Sequence, residues 1–355
     1  MKKIVLTGGG TAGHVTPNIA LIPGLKEASY EISYIGSYRG MEKELIEAEH
    51  IPYYGISSGK LRRYLDLKNL SDPFKVIKGF GQSLRLLRKL KPDIVFSKGG
   101  FVSVPVVLAA KFRKIPVIIH ESDITPGLAN KIAIPAAKKV CCNFSETLKY
   151  LPRDKAVLTG SPIRQELLSG NPEYARSYCH FNSKKPVLLV IGGSSGSKAI
   201  NDAVRAKLPA LLKEFQIIHL CGKGNLDDSQ AKTAGYAQFE YVSQQLKDMF
   251  ALADVVISRA GANAICELLA LRKPNILIPL PAAASRGDQI LNAKSFEKQG
   301  FSFVLEEENL TADTLCSAVR TVSANQTGYK KAMRKSGQMD SIETILQLIE
   351  KELAH

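Results

Sequence analysis

A chain of 355 residues, 45% of them apolar, is long enough for two domains that each bury a core. No run of about 18 apolar residues occurs, which excludes a membrane-spanning helix, and the six cysteines show neither a C-x-x-C pair nor a His at zinc spacing, so they read as reduced, mostly buried thiols. The net charge of +15 is uneven, because residues 1–161 hold 25 Lys/Arg against 13 Asp/Glu while residues 162–355 hold 23 against 20. So basic a first half faces nucleic acid, an acidic membrane surface or a phosphorylated substrate, unless the charge serves solubility alone. Met1–Lys3 leads straight into a strand pattern without a cleavable leader, from which a cytoplasmic location is expected.

The first predicted strand is Lys3–Thr7. Thr7–Asn18, TGGGTAGHVTPN, follows it and leads into a helical pattern over Ala20–Ala28. Gly8, Gly9, Gly10 and Gly13 let backbone approach a ligand closely. Their N–H groups lie at a helix N-terminus, which carries about half a positive charge and suits phosphate. His14 is expected where that helix begins, and Pro17 is tolerated in its first turn. Gly8, Gly10 and Gly13 also satisfy G-x-G-x-x-G, the dinucleotide fingerprint. That fingerprint expects an acidic residue at the end of the second strand, about 20 positions on. Here the second strand, Glu31–Gly36, ends in Ser37, Tyr38 and Arg39, so an anion site is the better reading.

Further strands are expected at Pro52–Ile56, Asp93–Ser97, Pro116–His120, Lys139–Asn143 and Ala156–Thr159. Helical patterns lie between most of them, which predicts a parallel sheet with helices on both faces. Lys60–Lys91 carries ten Lys/Arg against two Asp, with Val76, Ile77, Phe80, Leu84 and Leu87 at near-helical spacing. Two readings stand. One is a surface helix packing its apolar stripe on the sheet. In the other, part of the stripe rests on anionic lipid with Phe112, which sits between Lys111 and Arg113. Ser97–Pro105, SKGGFVSVP, and His120–Asn130, HESDITPGLAN, are two more loops at the carboxyl ends of strands. Open α/β sheets bind ligands there, so Lys98, His120, Glu121 and Asp123 are expected to join the first loop in one concave site. Gly160 and Pro162 mark a hinge where the charge balance also changes, which puts a domain boundary between residues 161 and 162.

The second half begins again with a strand, Pro186–Ile191, and a glycine turn, Gly192–Ser197, GGSSGS, whose N–H and hydroxyl groups suit phosphate. Later strands are expected at Gln216–Cys221, Val255–Ser258 and Asn275–Pro279. In Ser258–Glu267, SRAGANAICE, Gly261, Ala262 and Asn263 open a helix that carries Glu267 in its first turns. Such a terminus suits the diphosphate and ribose of a nucleotide; the plainer reading is a dipole-favoured carboxylate worth about 0.3–1 kcal/mol. No D-x-D cluster occurs, so a divalent metal clamp is not supported and no cofactor is expected. A helical pattern over Ala312–Val322 precedes a last helix, Ser341–Glu352. Residues 338–355 are expected to pack back on the first domain, which leaves 162–337 as the second.

TGGGTAGHVTP, SKGGFVS, HES…GLAN, TGSPIR, GGSSGS, SRAGANAICE and DQ…NA occur in this order across nearly the whole chain. The set closely resembles the MurG family of glycosyltransferases. The resemblance implies α/β GT-B architecture, two Rossmann-like doubly wound parallel-sheet domains facing a cleft. It implies transfer of N-acetylglucosamine from UDP-N-acetylglucosamine (UDP-GlcNAc) to undecaprenyl-diphospho-N-acetylmuramoyl-pentapeptide, lipid I to lipid II, with inversion to a β-1,4 bond. The first domain would then receive the lipid acceptor at the cytoplasmic face of the membrane, and the second would bind UDP-GlcNAc. The basic surface of the first domain would meet an anionic inner leaflet rather than nucleic acid.

The resemblance also assigns roles to matching positions. Thr11, Ala12 and Gly13 match the stretch that contacts the donor sugar, Arg164 and Ser194 the positions near its diphosphate, and Glu267 the carboxylate on the ribose. Ala262 and Asn263 stand at the same helix start, Gln289 matches a sugar contact, and Val242 a backbone contact to uracil. His14 matches the loop histidine, a general base or a diphosphate contact. Lys98, Phe101, Val76, Phe80 and Phe112 fall on the acceptor and membrane side. The chain departs from the family's HEQN at Ser122 and Asp123, from its Gln-Gln pair at Asp288, and from GGSQG at Ser195. The rival readings are a UDP-GlcNAc 2-epimerase or diglycosyl-lipid synthase, an NAD-dependent oxidoreductase, and a non-catalytic membrane or nucleic-acid binder.

Overall fold

The structure, a computed structural model, describes residues 1–59, 72–182, 184–193, 195–336 and 340–354. The chain divides into two compact units, Met1–Arg164 with Met339–His355, and Gln165–Gln338. Residues 60–71 of the basic stretch, and Ser194, lie outside the described residues.

The first unit holds seven strands: β1 (Lys3–Thr7), β2 (Glu31–Ser37), β3 (Tyr53–Ile56), β4 (Ile94–Ser97), β5 (Val117–Glu121), β6 (Lys139–Cys142) and β7 (Ala156–Leu158). All described pairings are parallel, in the order β3-β2-β1-β4-β5-β6-β7. Helices α1 (Thr16–Glu27), α2 (Met41–Ala48), α3 (Asp72–Leu90), α4 (Ser103–Phe112) and α5 (Leu128–Ala133) connect them. Alternate residues of each strand enter different cores, which is why the strands read as unbroken apolar runs. Ile4, Leu6, Ile32, Tyr34, Ile94 and Phe96 pack with Leu21, Ile22 and Leu25 of α1. Val5, Ile35, Val95, Val117 and Ile119 pack with Leu87 of α3 and Val106, Val107, Ala109 and Ala110 of α4.

The second unit holds β8 (Val187–Ile191), β9 (Gln216–Leu220), β10 (Tyr236–Phe239), β11 (Val255–Ser258), β12 (Asn275–Leu277) and β13 (Phe303–Val304), in the order β10-β9-β8-β11-β12-β13. Its helices are α6 (Pro172–Tyr178), α7 (Lys198–Ala206), α8 (Leu208–Glu214), α9 (Leu246–Leu252), α10 (Ala262–Ala270), α11 (Asp288–Lys298), α12 (Ala312–Ala324) and α13 (Gln326–Arg334). Strands β10 and β13 were not legible in the sequence. They are short, partly exposed sheet edges and lack a buried apolar run. The final helix, α14 (Ser341–Leu353), belongs to the first unit and buries Ile345 and Ile349 in the α1 face of its core. It passes so close to Gly24 that a Cβ there would lie 2.6 Å from Leu346 Cδ1. Its Glu350 accepts a 2.6 Å hydrogen bond from the Tyr30 hydroxyl and pairs with Lys2.

The second unit also buries an uncharged histidine. His219 of β9 accepts from the Tyr236 hydroxyl at Nδ1 (2.8 Å) and donates from Nε2 to Asn201 Oδ1 (2.9 Å). Burial, followed by the nearby Arg205 charge, pushes its pKa from 6.5 down to about 3. Between these two values the unfolded chain binds a proton that the folded site refuses, so stability is full above about pH 6.5 and falls as pH drops. Urea unfolding of wild type and His219→Gln at pH 7 and pH 5 should show the wild type losing more, by up to about 1.4 kcal/mol per pH unit. Equal losses would show that His219 does not carry this linkage.

Candidate functional site

In the first unit the strand order reverses between β1 and β4, and Thr7 pairs with Ser97 at that point. The loops after β1 and β4 therefore leave side by side, and they touch. A Cβ on Gly100 (φ +82°) would collide with the Gly9 carbonyl, and one on Gly8 would stand 2.5 Å from the His14 carbonyl. Only glycine permits both approaches. The Tyr34 hydroxyl donates to the Gly8 carbonyl (2.9 Å), and Asn18 Nδ2 donates to the Thr7 carbonyl (3.2 Å).

His14 differs from its expected place. It closes a separate 3-10 turn, Ala12–His14, before α1 begins at Thr16. The half-buried imidazole lies with Nδ1 3.0 Å from the Thr11 hydroxyl. The Thr11–His14 segment thus hangs directly on the glycine turn, and α1 starts with Pro17 in its first turn.

Lys98 follows β4 and is 1% exposed. Its Nζ donates to His120 Nδ1 (2.7 Å) and to the Ser122 hydroxyl. His120 Nε2 lies 2.9 Å from the Gly160 carbonyl, which can only accept, so Nε2 carries the hydrogen. Burial first, and then the Lys98 charge, hold His120 well below 6.5 and therefore neutral. Glu121, 5% exposed, accepts from the N–H groups of Ser122 (2.8 Å), Asp123 (3.0 Å) and Gly127 (2.9 Å) and from Asn130 Nδ2 (2.8 Å). So His120 and Glu121, expected to face a ligand, instead organise the loop that presents half-buried Asp123. Phe101 is half-buried at the entry to α4. Arg164 is half-buried and ends the first unit's main segment.

In the second unit the order reverses between β8 and β11, and Ile191 pairs with Ser258. Gly193 and Gly196 take positive φ in the turn after β8, and a Cβ on Gly196 would strike the Cys221 carbonyl. Ser197 caps α7 by accepting from the Ile200 N–H, and it also accepts from Arg259 Nη2 (2.6 Å). Sequence reasoning missed Arg259. It donates to the Ile278 carbonyl (3.1 Å) and forms an ion pair with Glu307, so one guanidinium ties the turns after β8, β11 and β12. Its signal was its place in SRAGANAICE, one residue past a strand.

Gly261 precedes α10, where Ala262 is buried and Asn263 half-buried. Glu267 lies in the second turn, beyond the first turn where a dipole would favour it most, and is half-buried. Gln289 Oε1 accepts from the Leu280 N–H (3.1 Å) after β12, and the neighbouring Asp288 pairs with Arg286 (2.6 Å). Val242 is buried just after β10.

The apolar stripe of α3 divides. Leu87 is buried and Val76 and Phe80 are half-buried, whereas Phe74 (74%) and Ile77 (67%), with Phe112 (73%) of α4, are exposed. Phe80 and Phe112 meet edge to face at 6.3 Å. Phe74 and Ile77, not the expected Val76 and Phe80, are therefore the residues of α3 that offer the most apolar surface to solvent. No helix among the described residues is long and apolar enough to cross a membrane. All six cysteines are free, and burial pushes the thiols of Cys141, Cys142 and Cys179 up to about 12.

The glycosyltransferase family 28 N-terminal domain matches residues 4–142, and the C-terminal domain of the same family matches 187–349. The chain is 68% identical over 349 residues to a protein of Lachnospira eligens, covering 98% of this chain and 99% of that one. It is 59% identical to one of Geobacillus thermodenitrificans, covering 98% of each. Both bear the name UDP-N-acetylglucosamine–N-acetylmuramyl-(pentapeptide) pyrophosphoryl-undecaprenol N-acetylglucosamine transferase. Among solved structures, Acinetobacter baumannii MurG superposes with a TM-score of 0.76 at 27% identity, covering 99% of this chain and all of that one.

Because Glu121 is a buried acceptor for four donors, Glu121→Ala should lower unfolding stability by on the order of 3 kcal/mol, the cost of leaving buried donors unpaired. Denaturant titration checks this; a loss of a few tenths would show that water replaces the carboxylate.

Proposed function

We infer that this chain, which belongs to glycosyltransferase family 28, is an inverting N-acetylglucosamine transferase of GT-B fold. It moves N-acetylglucosamine from UDP-GlcNAc to the 4-hydroxyl of undecaprenyl-diphospho-N-acetylmuramoyl-pentapeptide, making lipid II from lipid I for peptidoglycan. One observation carries this reading: 68% identity, nearly end to end, to a relative named for that reaction.

In this reading the first unit takes the lipid acceptor and the second takes UDP-GlcNAc. The acceptor 4-hydroxyl attacks the anomeric carbon, the bond to UDP breaks, and the hydroxyl proton passes to a base. His14 is that base. Thr11 holds its Nδ1, and the segment follows the closely packed Gly8–Gly10 turn. Lys98, beside the same turn, adds positive potential for an acceptor diphosphate.

On the donor side, the N-terminus of α10 with Ala262 and Asn263 faces the diphosphate. Glu267 accepts from the ribose hydroxyls, Val242 meets uracil through its backbone, and Gln289 contacts the sugar. Arg259 supports the turn after β8 through Ser197.

Phe74, Ile77 and Phe112 rest on the anionic inner leaflet as a peripheral anchor at the cytoplasmic face. Lys75, Lys78, Lys111, Arg113 and Lys114 flank them in sequence and favour such a surface over a neutral one. Nucleic acid is not a partner in this reading.

Transfer of labelled N-acetylglucosamine to a short-chain lipid I analogue, without added metal, tests the reaction. Wild type should form product, and UDP should appear only with the acceptor; conversion of UDP-GlcNAc to its C2 epimer without acceptor would favour a 2-epimerase. His14→Ala should lower kcat by about 10²–10⁴-fold, the usual contribution of a general base, and a loss under fivefold would remove His14 from the chemistry. The triple variant Phe74→Ser, Ile77→Ser, Phe112→Ser should bind vesicles containing anionic lipid about tenfold more weakly while keeping its kcat on a soluble acceptor analogue. Unchanged vesicle binding would move the membrane surface elsewhere.

A further inference from the structure

The sequence left the end of β2 without the carboxylate that a dinucleotide fold would place there, yet the structure supplies one from α2. Glu42 is fully buried. Its Oε1 accepts from the Ser37 N–H (3.1 Å) and the Ser37 hydroxyl (2.6 Å), and its Oε2 accepts from the Gly10 N–H (3.3 Å). The carboxylate lies against Gly9 and Gly40, and Gly36 faces the Tyr53 hydroxyl and the Glu42 methylene, so a side chain at any of the three would crowd this seat. A Cβ on Gly9 would stand 2.6 Å from Glu42 Cδ, one on Gly36 would stand 3.0 Å from Cγ, and one on Gly40 would overlap the carboxylate. The group is therefore seated against the first glycine turn, where it holds the Gly10 N–H. Its bonds go to the protein's own donors rather than to a ribose. Tyr53 braces the seat by donating to the Ser37 carbonyl at 2.5 Å.

We propose that Glu42 is a positioning residue for the transfer reaction: its carboxylate fixes the Gly8–Gly10 turn and, through it, the Thr11–His14 segment. Gly10 takes φ +87° and has no side chain to pack, so its N–H is a direct handle on the turn. The next residue, Thr11, both starts the 3-10 turn and holds the His14 ring. A displacement of about 1 Å in a reacting group can cost on the order of 100-fold in rate. Glu42 thus acts on the chemistry without touching a substrate, and the proposal rests on the reading of His14 as the base.

The test compares wild type, Glu42→Gln and Ser37→Ala. E42Q keeps the shape but puts an amide where one of the two acceptor oxygens stands; S37A removes only one donor. Glycosyl transfer should show kcat lowered at least about 20-fold in E42Q and about threefold in S37A. A second readout is the rate of His14 modification by diethyl pyrocarbonate, relative to exposed His180 in the other unit; it should change at least about threefold in E42Q. A purely stabilising role would lower the melting temperature and leave both readouts alone. An unchanged kcat with an unchanged His14 ratio overturns the proposal. If wild type transfers no sugar, the functional reading fails, and the His14 ratio alone decides whether Glu42 positions the segment. If E42Q does not fold or no longer binds UDP, the same ratio in S37A decides: a shift supports the proposal and no shift ends it.

Discussion

Each unit depends on one topological constraint. Its sheet order reverses beside the first strand, so the crossovers on either side of that point run to opposite faces and their loops part at the carboxyl edge. The chain must bend sharply there twice in each unit, after β1 and β4 and after β8 and β11. Glycines serve the bends after β1 and β4, where Gly100 approaches Gly9, and the bend after β8, where Gly196 approaches the Cys221 carbonyl that follows β9. What the constraint leaves in each unit is a rim of backbone N–H groups and helix starts at the carboxyl edge of its own sheet, which suits phosphate.

Around that rim, buried charges serve the loops more than the ligand. Glu121 gathers three N–H groups and an amide, Lys98 is held by His120 and Ser122, Arg259 ties three turns of the second unit, and Glu42 sits inside the first glycine turn. Each takes the place of hydrogen bonds that irregular backbone cannot make to itself. A neutral His120, donating to Gly160 and accepting from Lys98, fixes one arrangement of that network. These groups explain how loops without regular structure can hold Thr11, His14 and Asp123 in definite positions.

The charge asymmetry of the chain has a place in this picture. The excess of Lys and Arg lies in the unit proposed to take the lipid acceptor, next to Phe74, Ile77 and Phe112, whose rings and side chain stand in solvent. A helix that buries Leu87 at one end and exposes Phe74 at the other does two jobs along its length, holding the sheet and offering an apolar surface.

The sequence by itself determined the doubly wound plan, because strands covered on both faces are unbroken apolar runs and glycine turns follow them at the strand ends. It determined the family as well, through seven motifs in order. Tertiary structure alone decided the rest. The edge strands β10 and β13 carry no local pattern, because pairing with a neighbour makes them strands. The bonds of His120 to Lys98 and Gly160, the tie from Arg259 to Ser197 and Glu307, and the seat of Glu42 in a turn 32 residues earlier are contacts between residues far apart in the chain. Spacing cannot encode them, because a side chain's partner is set by how helices pack on the sheet, and only the folded chain brings those donors and acceptors together.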